Sequence, residues 1–270
     1  MSVDALSGRT VEAVGASRSA PVVVIAYAGS GVDRLRSAMS GYPELACTQQ
    51  TGILPLFHNL VTTWQAVEGT SGPGVSPLAA ASMRALSAGL MTAILARQRG
   101  SRWCEFATAP PAAAQSFARV FPQASFLVLH RRADSVARAI LNAREWGLNG
   151  PEFAPFVSAH PGSSVAAVAS FWASHTTQQL EFEQSHADRC HRVLFEDLIT
   201  DNAQTLLGIS DFLALDDLGG LPQGGADERQ AGHPPVERGL PTDRIPTALL
   251  ARVNDLHREL GYPPVTDAGA

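Results

Sequence analysis

Nineteen mostly small and polar residues open the chain and read as a flexible leader. Pro21-Val22-Val23-Val24-Ile25-Ala26-Tyr27 follows, an unbroken apolar run of the kind found in strands buried on both faces, as in a parallel sheet. It breaks at Ala28-Gly29-Ser30-Gly31. Beyond the break, Val32, Leu35, Ala38 and Met39 fall on one face of an amphipathic stretch. Strand, glycine turn and helix in that order form the opening of an α/β anion site. Glycines let the backbone approach an anion, and the helix N-terminus aims its N–H groups at it.

Further along, 69–77 is a turn-rich linker and 78–99 predicts a long helix. A shorter helix over 112–121 stops at Pro122. Ser125-Phe126-Leu127-Val128-Leu129 is a second buried strand, ending at His130-Arg131-Arg132. Asp134 is placed to cap a helix running through Trp146. A helix over 165–187, a third strand over 192–195 and a helix over 202–213 come next. Residues 216–243, rich in Gly, Pro, Asp and Gln, read as a mobile loop, and a helix over 247–260 ends at Gly261. The alternation predicts one three-layer α/β domain over 20–264 with a central parallel sheet and a short tail at 265–270.

Composition narrows the function classes. With 45% apolar and 17% charged residues the chain is globular, and a net charge of −5 argues against nucleic-acid binding through a broad basic face. No apolar run approaches the ~20 residues of a membrane-spanning helix, so no membrane association is expected. Cys47, Cys104 and Cys190 lie far apart with no paired spacing, which fits a reduced, cytoplasmic protein. All 20 basic residues are arginine. Chemistry that needs a lysine, such as a Schiff base or a P-loop lysine, is thereby excluded.

The order of segments resembles the sulfotransferase family, whose enzymes use 3′-phosphoadenosine 5′-phosphosulfate (PAPS). Val193-Leu194-Phe195-Glu196-Asp197-Leu198 is similar to the family's strand ending in (Y/F)EDL, and Asp211-Phe212-Leu213 ends the helix that follows it. Phe171-Trp172 resembles the preceding tryptophan helix. Asp243-Arg244-Ile245-Pro246 through Glu259-Leu260-Gly261-Tyr262-Pro263 resembles the tail of bacterial members. The resemblance spans roughly 21–264 and implies a sulfotransferase-like (P-loop-like) fold.

The chemistry of the first half departs from the family. Ala28-Gly29-Ser30-Gly31-Val32-Asp33 stands where the 5′-phosphosulfate loop reads (P)(R/K)SGTT. Gly29 replaces the cation, and Val32 and Asp33 replace two hydroxyls. Sulfuryl transfer builds charge on the bridging oxygen, which a cation at 29 would stabilise. Thr48-Gln49-Gln50-Thr51 resembles the PPET segment, with Gln50 in place of the glutamate base. Trp103-Cys104-Glu105-Phe106-Ala107-Thr108 resembles W(G)EKTP with Phe106 at the lysine.

The resemblance therefore implies nucleotide contacts at Gly29, Ser30, Gly31, Asp33, Arg131, Arg132 and Arg138, with Arg238 in the loop assigned alongside them. Arg138 falls near the family's 3′-phosphate serine, and His130, Arg131 and Arg132 supply cations there. PAPS, or its desulfated product, is expected to bind weakly or not at all. Restoring Arg at 29 and Thr at 33 is expected to strengthen binding. His58 and Gln50 are the catalytic candidates, His58 as a base near neutral pH. A lone helical histidine is more often structural, and Glu196 and Asp197 read as caps or ion-pair partners and Trp64 and Trp172 as core. His186, Cys190 and His191 do not have a zinc spacing, so no metal is expected.

Three functions stay open. The chain is a self-sufficient sulfotransferase acting on a hydroxyl of a small molecule, or a non-catalytic scaffold subunit, or a diverged member of a specialised-metabolite sulfation system. The last would act with an active sulfotransferase partner, or on a sulfated intermediate whose sulfate an internal nucleophile displaces. It is ranked first, because Gly29, Gln50 and Phe106 do not ionise while the fold-level segments are intact. A homodimer or a heteromer with a paralogous sulfotransferase is expected. The helix bearing Leu56, Phe57, Leu60, Val61 and Trp64 is a candidate contact face, with core burial the competing fate.

Overall fold

The computed structural model describes residues 20–69, 74–98, 100–143, 148–215 and 241–265. The proposed leader, most of the 216–243 loop with Arg238, and all but the first residue of the tail lie outside the described residues.

Among the described residues, five parallel strands form one sheet in the order β2-β3-β1-β4-β5. They are β1 (Val22–Ile25), β2 (Leu45–Gln49), β3 (Arg102–Ala107), β4 (Ser125–His130) and β5 (Cys190–Leu194). The β-branched run of β1 makes it the central strand. Val22 pairs with Cys104 on one side and with Ser125 on the other, and all its side chains are buried. The expected strand at 192–195 is shifted, because Phe195 already begins a helix.

Helices cover both faces, as expected for a parallel sheet. One face packs α1 (Val32–Met39), α8 (Phe195–Thr200) and α9 (Asn202–Leu213) against Val22, Val24 and Phe106. The other carries α2 (Ile53–Glu68), α3 (Pro77–Arg97) and α4 (Pro111–Val120) beside α5 (Ala133–Ala143), α7 (Ser164–Ser185) and α10 (Thr247–Glu259). The short α6 (Ala154–Ala159) precedes α7. On α2, Phe57 and Val61 are core and Leu60 and Trp64 pack against it, leaving Leu56 as the exposed member of the proposed contact stripe.

Two expectations change here. The α3 helix is 21 residues long and is long and apolar enough to cross a membrane by length and composition. Alanines, serines and glycine between its leucines hide that run in the sequence. Asp134 does not cap α5 but lies within its first turn, pairing with Arg132. His257 on α10 takes the capping role: its Nε2 accepts from the Ala133 N–H at 3.1 Å, and its Nδ1 lies 2.7 Å from the Pro263 carbonyl. Burial lowers the His257 pKa, in keeping with a neutral ring that accepts on one side and donates on the other.

Candidate functional site

Ligands of open parallel sheets bind outside the carboxyl ends of the strands. There β1 runs into the turn Ala28–Gly31 and α1. Gly29 and Gly31 both have positive φ, +82° and +88°. A Cβ on Gly31 would run into the Phe195 ring, and one on Gly29 would meet Ile140 Cγ1 at 2.9 Å. Only glycine fits either place. Gly31 caps α1 without a side-chain bond, so the first-turn N–H groups have no side-chain acceptor. Ser30 is fully buried and its Oγ has no partner among the described residues. A buried hydroxyl without a partner at a helix N-terminus is suited to donate to an anion.

Arg131, just past β4, closes this cradle. Its Nη1 donates to the Gly29 carbonyl at 2.9 Å, its guanidinium lies 4.0 Å over the Phe195 ring, and its Nε is buried without a partner. Trp172 Nε1 holds the Arg131 carbonyl at 2.8 Å, so this core tryptophan also positions the arginine backbone. Burial lowers the Arg131 pKa, Glu196 offsets part of that, and nearby Arg138 adds to it. The structure thus brings Gly29, Ser30, Gly31 and Arg131 together, with Arg138 near enough for its charge to act on Arg131.

The other expected cations are spent elsewhere. Arg132 makes a two-pronged pair with Asp134, both bonds 3.1 Å. His130 is buried under the sheet with Nε2 on Glu183 at 2.9 Å, so it supplies no cation to the cradle. Glu196 is structural, accepting from the Arg132 N–H and the Tyr262 hydroxyl. Asp33 Oδ1 accepts from Gln49 Nε2 at 2.9 Å and lies 3.9 Å from Arg36.

A second polar cluster sits at the ends of β2 and β3. Glu105, 1% exposed, accepts from Thr48 Oγ1 at 2.5 Å, the Thr51 N–H at 2.7 Å and the Thr51 hydroxyl at 2.9 Å. Burial raises its pKa, against those three bonds. Trp103 Nε1 donates to Thr48 Oγ1. Glu105 thereby clamps the turn in which Gln50 takes a φ of +50°, unusual for a non-glycine residue and stored at a candidate site. Gln50 Nε2 donates to Thr108 Oγ1 at 2.8 Å. Neither Glu105's clamp nor Gln49's bond to Asp33 is visible in sequence spacing, since the first follows from the register of β2 on β3 and the second from the packing of α1 beside β2.

His58 lies on α2 with Nδ1 3.0 Å from Ser116 Oγ of α4, an inter-helix bond. Phe106 is fully buried in the core facing α1. No group of three or more His, Cys, Asp or Glu among the described residues could hold a metal ion. An open cleft of about 680 Å³ lined by Glu183, Cys190, Arg192 and Leu256 lies beside the start of β5, away from the cradle.

A family model described as "Sulfotransferase family" matches residues 21–218. The fold is similar to the sulfotransferase domain of the Synechococcus PCC 7002 olefin synthase, at 19% identity and a TM-score of 0.57, covering 90% of this chain and 94% of that one. It is similar to the sulfotransferase domain from the curacin biosynthetic pathway, at 16% identity and a TM-score of 0.59, covering 90% and 98%. A sulfotransferase from Alicyclobacillus acidocaldarius matches at 14% identity and a TM-score of 0.52, covering 90% and 96%. At these identities the likeness shows the fold. No curated protein matches the sequence.

Proposed function

The chain belongs to the sulfotransferase family, and on that premise we propose that it is a diverged member serving a small-molecule sulfation system. It holds a phosphate-bearing ligand and relies on an active sulfotransferase partner for the transfer step. The observation that carries the reading is the fate of three positions. Gly29 is boxed in by Ile140 and Val136, Phe106 is fully buried, and the Gln50 amide is bonded to Thr108. None offers a cation or a base to a reacting group.

The anion half of the site supports the same reading. Ser30 Oγ, the α1 N-terminus and Arg131 fit a phosphate. Arg138 disfavours the charge on Arg131, and an anion bound beside Arg131 would offset that. PAPS would supply the sulfuryl group; the residues present fit its phosphates and not the transfer of that group. Two similar domains come from an olefin synthase and from the curacin biosynthetic pathway, in keeping with a small-molecule substrate.

Calorimetry with 3′,5′-adenosine bisphosphate tests the cradle, and a sulfate-transfer assay of the chain alone and with a second sulfotransferase tests the partnership. Binding weaker than about 1 μM is expected, with transfer only when the second enzyme is added. Sub-micromolar binding with full transfer by the isolated monomer would establish the self-sufficient enzyme instead.

A further inference from the structure

Spacing along the chain gives no pairing among the cysteines, but the sheet does. Cys47 on β2 and Cys104 on β3 are register partners in adjacent parallel strands. Such neighbours lie about 4.8 Å apart, inside the ~4.4–6.8 Å Cα range that disulfides span. Both side chains face α1 and α9, where Cys104 is core and Cys47 packs against it half-buried. The next pair along, Thr48 and Glu105, points to the opposite face and is joined by a direct side-chain bond, which pins the register.

The two thiols have different surroundings. The bond with Cys104 lowers the Cys47 pKa, burial opposes it, and Ser40 and Arg36 at the end of α1 add to the lowering. Arg36 Nε is buried without a partner. Burial, with Cys47 alongside, holds the Cys104 thiol well above its ordinary value. A half-buried cysteine whose pKa is lowered, beside a core cysteine whose pKa is raised, is the arrangement of a reacting and a resolving cysteine. Cys190 differs, its thiol pushed up to about 12 by burial and Glu183.

We propose that Cys47 and Cys104 are a redox modification site, at which a hydroperoxide converts the two thiols to a reversible intramolecular disulfide. The Cys47 thiolate attacks the terminal peroxide oxygen. The O–O bond breaks, the departing oxygen takes a proton, and Cys47 becomes a sulfenic acid. The Cys104 sulfur then attacks the Cys47 sulfur; the S–S bond forms, the S–O bond breaks, and hydroxide leaves with the Cys104 proton as water. Two electrons pass from sulfur to peroxide. The bond joins edge strand β2 to β3 one residue before the Glu105 clamp, so it ties the oxidation state to the turn that carries Gln50.

The test is hydrogen peroxide treatment of the folded full chain, followed by alkylation and mass spectrometry. The expected product has lost the mass of two hydrogens, carries a peptide cross-link between Cys47 and Cys104, keeps Cys190 open to alkylation, and returns to the starting mass with dithiothreitol. In Cys104→Ser, oxidation is expected to stop at a Cys47 sulfenic acid that dimedone traps. Three unreacted thiols, a disulfide between chains, or Cys190 oxidised as fast as Cys47 would overturn the proposal. None of these readouts depends on nucleotide binding or sulfate transfer.

Discussion

Arg131 Nη1 reaches across from the end of β4 to the Gly29 carbonyl at 2.9 Å, binding the arginine to the loop whose own cation is missing. Stacked on Phe195, it is the preorganised cation of the cradle. Arg131→Gln is expected to weaken 3′,5′-adenosine bisphosphate binding about tenfold to a hundredfold, the size of a hydrogen bond to a charged group at ~1.5–3 kcal/mol. Ser30→Ala separates binding from folding. Its hydroxyl has no partner to lose, so the melting temperature holds or rises while affinity falls. Calorimetry and thermal melts on the same preparations check both.

Gly31→Ala tests how tightly the cradle is built. A non-glycine residue at left-handed φ costs about 1–2 kcal/mol, and overpacking adds roughly 1–3 kcal/mol. The variant is expected to lose at least about 2 kcal/mol in urea denaturation. In a Phe195→Leu background the loss should shrink, because the Phe195 ring is what an added Cβ meets. Equal losses in both backgrounds would show that the ring does not set the requirement.

The strands that could be read from sequence are those whose neighbours agree locally. β1 and β4 are apolar runs buried on both faces, and their outlines follow from composition alone. β3 is hidden in the sequence for a different reason. Arg102 and Glu105 look like surface residues, yet both are buried because partners distant in sequence satisfy them. Arg102 donates to the Ala20 and Leu213 carbonyls and to Ser125 Oγ, and Glu105 accepts from Thr48 and Thr51. The site divides in the same way. Gly29, Gly31 and Arg131 announce themselves at strand ends, whereas the capture of His58 by Ser116 and the pairing of Cys47 with Cys104 are decided by helix packing and register.

Acid sensitivity should trace to Glu183. Burial alone would raise its pKa, but bonds from His130 and Arg192 outweigh that and hold it below the ordinary 4.5. A depressed folded pKa gives stability that is present above the unfolded value and lost as pH falls through the folded one. Glu183→Gln is therefore expected to destabilise the fold at neutral pH, by less than the ~3–5 kcal/mol of a fully buried broken pair, because Arg192 is 39% exposed and solvent screens its charge. The gap to the unsubstituted chain should narrow progressively as pH drops below 4.5. Urea titrations at stepped pH measure it; a gap independent of pH would remove Glu183 as the source.

Asp33 is the position at which a single change should strengthen the cradle. Its carboxylate sits in the first turn of α1, where an anion normally stabilises the helix by about 0.3–1 kcal/mol. A bound phosphate would occupy the same positive end, so the carboxylate repels the ligand it adjoins. The side chain is 75% exposed and bonded to Gln49, so Asp33→Thr costs less than about 1 kcal/mol of stability. It should raise bisphosphate affinity several-fold, most at low ionic strength where screening is weakest. Adding Gly29→Arg should cancel the gain, contrary to the expectation from sequence. Residue 29 needs a φ of +82° and leaves no room for a Cβ beside Ile140. Calorimetry of the single and double variants at two salt concentrations decides this, and no gain for Asp33→Thr at low salt would place the phosphate away from the α1 N-terminus.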